Sequence, residues 1–153
     1  MPRLDHVAVQ VADIDRAIAF YTDVLGLPLM FKQEDREHGE VFAFLELEGG
    51  NLELLSRIDG DGRPVPFARP VLQKPWCPHV ALAVGDIDAA VEKLQAAGIP
   101  LLDGPLIIPG KVRWLYFSDP DHNVIEYVQW LDAFSLQCAS RRGIVGNTAK
   151  CRQ

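Results

Sequence analysis

The stretch His79-Val-Ala-Leu-Ala-Val-Gly-Asp-Ile-Asp-Ala-Ala-Val91 restates His6-Val-Ala-Val-Gln-Val-Ala-Asp-Ile-Asp-Arg-Ala-Ile18, with eight of thirteen positions identical at an offset of 73. The same offset lays Asn51-Leu-Glu-Leu54 on Val124-Ile-Glu-Tyr127, so Glu53 falls on Glu126. Each copy therefore has a histidine 47 residues ahead of a glutamate set in an apolar run. Self-similarity over this length marks a duplicated supersecondary unit, and it supplies two His and two Glu in equivalent places.

Outward from the first copy, Leu4–Val11 alternates as a strand, with Val7, Val9 and Val11 on one face, under a helix, and His6, Ala8 and Gln10 on the other. Asp13 suits a helix N-cap, and Ile14, Ala17, Ile18, Tyr21 and Leu25 follow at helical spacing. Gly26 and Pro28 end that helix. Residues 27–31 read as a short strand, 32–40 as a polar loop, and 41–48 and 51–56 as two strands joined around Gly49-Gly50. The second half repeats the order: strand 78–84, helix 86–97, and strands near 101–108, 111–118 and 123–130. The last two are joined through the turn formers Asp119-Pro-Asp-His-Asn123. The fold class is α+β, with two tandem βαβββ modules at 1–56 and 77–130. A segment rich in proline and glycine, 57–76, links them, and 131–153 is a tail with no counterpart in the first half.

Composition narrows the function. Among 153 residues the hydrophobic fraction is 48% and the charged fraction 24%, ordinary values for a globular chain. A net charge of −6 without any basic run excludes a general nucleic-acid binder. No apolar stretch reaches the ~18 residues of a membrane span, and no signal peptide is visible, so a cytoplasmic protein with no membrane partner is expected. Cys77, Cys138 and Cys151 are odd in number and lack CxxC spacing, which fits reduced thiols.

The branched residues of each first strand face the helix, so His6 and His79 share the opposite face with small or polar neighbours. Glu53 and Glu126 project away from the apolar residues that bracket them. Two imidazoles and two carboxylates on one cleft suit a divalent first-row cation, whose charge the carboxylates neutralise. Ni²⁺, Co²⁺, Zn²⁺, Mn²⁺ or Fe²⁺ all match these donors. His38 lies in a charged loop and His122 in a turn, and neither reads as a ligand. Each module also leaves strand edges to be paired within the chain or across chains, and a homodimer is expected.

These residues give the chain a recognisable text: Leu4-Asp-His-Val-Ala-Val9, Ala17-Ile-Ala-Phe-Tyr-Thr-Asp-Val-Leu-Gly26 and Tyr116-Phe-Ser-Asp-Pro-Asp-His-Asn-Val-Ile-Glu126. Over residues 3–130 it resembles the vicinal oxygen chelate superfamily of glyoxalase I, methylmalonyl-CoA epimerase, extradiol dioxygenases and the fosfomycin and bleomycin resistance proteins. The resemblance implies sheets that curl into an open cup around a metal, with His6, Glu53, His79 and Glu126 as ligands. A glutamate at position 53 points towards the glyoxalase I branch, in which Glu126 would be the catalytic base and Glu53 its pseudo-symmetric partner. Where that branch places Arg and Asn for glutathione, four residues after the first and second ligands, this chain has Gln10 and Arg57. The implied function is a metal-dependent isomerase or lyase that moves a proton on a small carbonyl or thiol-adduct substrate. The alternatives are an Fe(II) extradiol-type dioxygenase and a binding or resistance protein that uses the same cup without chemistry.

Overall fold

Asp13 and Asp86 start the two helices in the same way. Each is extended, and its carboxylate accepts the backbone N–H groups two and three residues on, which otherwise lack partners at a helix N-terminus. The computed structural model describes residues 4–71 and 78–131. Its elements run β1 (His6–Gln10), α1 (Ile14–Ala19), β2 (Leu29–Asp35), β3 (Glu40–Leu47), β4 (Gly50–Arg57), β5 (His79–Ala83), α2 (Ile87–Ala96), β6 (Asp103–Ile108), β7 (Val112–Ser118) and β8 (Val124–Trp130). They form two mixed sheets of identical topology, β1-β4-β3-β2 and β5-β8-β7-β6. The first strand of each module pairs in parallel with the last, and the other neighbours are antiparallel. The two βαβββ modules read from the repeat are therefore present.

Helix α1 packs on β3 and β4, and α2 packs on β7 and β8. The covered faces, with Ala43, Leu45, Leu52 and Leu54 in one sheet and Leu115, Phe117, Ile125 and Tyr127 in the other, belong to one contiguous buried cluster. Each such Leu or Phe contributes about 1.5–3 kcal/mol of burial. Gly26 and Gly98 follow the helical segments with φ of +78° and +71°, a conformation that a Cβ would strain.

Three local expectations change. The first helix does not run regularly to Leu25. After Ala19 it widens into a π turn over Phe20–Val24, closed by the Leu25 N–H on the Phe20 carbonyl at 3.3 Å. The added residue lets the adjacent Phe20 and Tyr21 both be buried. Strand β2 runs to Asp35 through residues that read as a loop. As an edge strand it can bear polar side chains, and Lys32 reaches over to Asp15 beside the helix N-terminus at 2.7 Å. Val7 is 40% exposed rather than under the helix, because β1 is also an edge and only Val11, beyond its end, is fully buried.

The segment between the modules is partly structured. Arg57 ends β4, Ile58 is buried, and Ile58 bridges to Pro64 around a turn closed by Asp59. Residues 72–77 and 132–153, with all three cysteines and the greater part of the expected tail, lie outside the described residues. No helix among the described residues is long and apolar enough to cross a membrane.

The modules are fastened by the turn between β7 and β8. Asp121 is fully buried, and its carboxylate accepts from Arg16 at 2.7 Å, Arg69 at 3.2 Å and the Ala12 N–H at 3.2 Å. Asp119 accepts from the buried Tyr21 hydroxyl at 3.0 Å, and Asn123 donates to the Gln10 carbonyl at 2.9 Å. Residues that read only as turn formers thus hold module two against β1 and α1 of module one.

Candidate metal centre

The parallel pairing of first and last strands brings each histidine to its glutamate. In the first sheet Ala8 lies beside Glu53 and His6 beside Asn51. In the second, Ala81 lies beside Glu126 and His79 beside Val124. All four side chains therefore sit on the face turned away from the helix. His6 Nε2 stands 3.4 Å from Glu53 Oε2, and His79 Nε2 stands 2.9 Å from Glu126 Oε2. Both glutamates are sheltered, with side chains 17% and 15% exposed, whereas the histidines keep 40% and 26%.

The surroundings of the two pairs differ. His6 Nδ1 is held by Asp5 at 2.7 Å, which leaves Nε2 to face Glu53. The hydrogen bond to Asp5 raises the His6 pKa above its ordinary 6.5, against a smaller opposing effect of desolvation and with added pull from the Glu53 charge. Phe44 lies across from Glu53 and Tyr116 across from Glu126, each edge-on to its histidine at 5.4 and 5.5 Å between ring centres. Tyr116 carries a hydroxyl where Phe44 has none. Burial first, then the charge of the neighbouring Glu126, push its phenol pKa up. Glu126 thus has a phenol across the strand where Glu53 has a phenyl ring.

Each pair has the form of half a metal site. Two donors about 2.1 Å from one ion stand about 3 Å apart in neighbouring octahedral positions, close to the separations found here. The carboxylate on the far nitrogen of His6 is also the usual outer partner of a ligating imidazole. The structure does not bring the pairs together, however. Among the described residues no group of three or more His, Cys, Asp or Glu closes on one point. His6 meets Glu53 and His79 meets Glu126, but the four-ligand cluster expected from the sequence is not formed by these residues of one chain. Between the edge strands lies a crevice of about 380 Å³ lined in part by Val7, Val9, His79 and Asn123. His122 stays outside the pairs: it has φ +69° and bonds the Pro70 carbonyl, as suits a turn residue. His38 is a surface residue paired with Asp35.

The sequence does not single out Asp5, Tyr116 or Phe44 as site residues. Asp5 has no periodic signal. The aromatics precede their glutamates by ten and nine residues, and the unequal spacing hides their equivalence from a fixed offset.

Two βαβββ modules, each with a His–Glu pair on the open face of its sheet, define the vicinal oxygen chelate architecture. The chain belongs to the Glyoxalase/Bleomycin resistance protein/Dioxygenase superfamily, whose family model matches residues 3–127. It is 31% identical over 132 residues to a "Probable lactoylglutathione lyase" of Vibrio cholerae, covering 83% of this chain and 90% of that one. It is 38% identical over 121 residues to the mitochondrial methylmalonyl-CoA epimerase of Mus musculus, covering 77% and 66%. Among solved structures it resembles TnmS3, an antibiotic binding protein from Streptomyces sp. CB03234. The TM-score is 0.64 at 26% identity, with 85% of this chain and 97% of that one covered.

Proposed function

We propose that the protein is a metal-dependent, glyoxalase I-like isomerase or lyase that moves a proton on a carbon next to a carbonyl group. The observation that carries this reading is the pair of equivalent His–Glu contacts on the open faces, in a chain about 30% identical to lactoylglutathione lyases. His6, Glu53, His79 and Glu126 would hold the cation, the first two from one copy of the chain and the last two from another. When bound, a divalent cation draws electron density from a carbonyl oxygen and acidifies the neighbouring C–H.

The protein's own share is the proton. A base must come within about 3 Å of the carbon it deprotonates, and a carboxylate meets this better than an imidazole whose nitrogen is engaged. Glu126 is assigned this role on the likeness to lactoylglutathione lyases, with Tyr116 across the strand from it, and Glu53 is its counterpart in the other module. Inverting a stereocentre beside a thioester carbonyl also needs a proton removed and returned, so the likeness to an epimerase leaves the same roles in place.

The test has two parts. Protein loaded with Ni²⁺, Co²⁺, Zn²⁺ or Mn²⁺ is analysed for metal, then assayed with hemithioacetals of methylglyoxal formed from glutathione and from an uncharged thiol. One equivalent of metal per site and conversion of either adduct are expected. Full metal without turnover of any adduct rejects the isomerase and leaves the binding function that the resemblance to TnmS3 favours.

A further inference from the structure

The open faces of the two sheets set aromatic rings beside the His–Glu pairs. In the first sheet Phe44 touches the His6 ring, Phe31 stacks on Phe44 with centres 5.3 Å apart and planes 15° apart, and Phe42 meets both edge-on. These rings form one surface leading away from the site, and Phe31 at its end is 46% exposed. In the second sheet Tyr116 and Trp114 stand on the same face as Glu126. Cations are sparse by comparison. The strand register places one cation, histidines apart, on the open faces of the eight strands, and it is Arg57. Four residues beyond Glu53, it lies about 13 Å along the strand, and Glu40 stands opposite it. A thiol bearing several carboxylates or phosphates would need more cations than these faces offer.

On the reading of the site as a metal-dependent isomerase or lyase, we infer that its substrate carries an uncharged aromatic ring beside the carbonyl. The ring would lie against the Phe31–Phe42–Phe44 surface, with Trp114 and Tyr116 on the opposing module. Stacked and edge-on ring contacts favour such a body over an aliphatic or charged one.

Three probes share one metal-binding head and differ only in body: acetohydroxamic acid, benzohydroxamic acid and 4-carboxybenzohydroxamic acid. Their affinities for nickel-loaded protein are compared by calorimetry. Benzohydroxamate should bind about tenfold more tightly than acetohydroxamate, and the added carboxylate should remove most of that gain. Phe31→Ala, on an exposed edge strand, should bring the ratio of the first two affinities close to one, and Phe44→Leu should lower it while keeping apolar bulk. Equal binding of acetohydroxamate and benzohydroxamate overturns the inference and leaves the metal site standing. Failure of any hydroxamate to bind, or of the protein to take up nickel, overturns both. If Phe31→Ala instead dissociates the protein while the ratio is unchanged, the rings serve contact between copies of the chain and the inference fails.

Discussion

At the scale of single residues, the decisive contrast is between two glutamates in nearly the same setting. Glu126 has a phenol across the strand and Glu53 a phenyl ring. Glu126→Gln keeps an oxygen donor and removes basicity. Metal content should stay near normal while turnover falls about 10²–10⁴-fold, and a fully active Glu126→Gln with an inactive Glu53→Gln would reverse the assignment of the two modules. Asp5 makes a separate claim. Since its hydrogen bond is the main reason that the His6 pKa stands above 6.5, Asp5→Asn should lower the His6 titration midpoint in a proton NMR titration of the metal-free protein. The sign for stability follows: the favourable contribution of His6 is complete below pH 6.5 and is lost as pH rises through the raised value. Cation binding runs the other way, because the ligand form is the neutral ring. At the alkaline end, burial pushes the Tyr127 phenol up to about 12. The unfolded chain releases that proton near pH 10, so thermal stability should fall from about pH 10 towards 12, with the native phenolate absorbance appearing late. A Tyr127 that ionises at the ordinary value in the folded protein would contradict this.

At the scale of elements, the turn between β7 and β8 does more than reverse the chain. Its Asp121 is buried among two arginines and a backbone N–H, and its Asp119 receives the Tyr21 hydroxyl that the π turn directs inward. Asp121→Ala removes the acceptor common to Arg16, Arg69 and Ala12. It should cost about 1–3 kcal/mol, a loss seen as a lower urea midpoint. Tyr21→Phe should cost about 1 kcal/mol, since Asp119 retains Asn123 and the Asp121 N–H as donors. No change in midpoint for Asp121→Ala would show that the modules are held by apolar packing alone. These contacts also mark the limit of what the sequence displays. The helices, the four strands per module and the His–Glu pairs follow from alternation, capping residues and the 73-residue offset, all local or repeated signals. Asp121 meeting Arg16, or Phe44 matching Tyr116, depends on how two distant segments dock and on a loop one residue longer. Neither leaves a periodic trace. The polar half of β2 was hidden for another reason: an edge strand is held by its backbone, so its side chains need not alternate.

At the scale of the whole molecule, the question is how two half sites become one. Each module presents two donors, and among the described residues of one chain no third donor closes on either pair. Two donors leave a first-row cation largely to water, whereas two modules facing each other would supply four. The homodimer expected from the open edges of β1, β2, β5 and β6 can provide this if module one of one copy faces module two of the other. Sedimentation at micromolar concentration should accordingly show a dimer, and a monomer would oppose this arrangement. A stricter test uses two disabled variants, His6→Ala and His79→Ala, each of which should lose most of its metal and activity as a homodimer. In a mixed dimer with sites shared between copies, one site lacks both histidines and the other is intact. Random mixing after mild unfolding and refolding should then restore metal and activity to about a quarter of the wild-type level. If each site is built within a single chain, every site in the mixture still lacks one histidine and nothing is restored. Recovery near a quarter therefore assigns the centre to the interface between copies, and its absence in a mixture shown to contain mixed dimers assigns it to one chain.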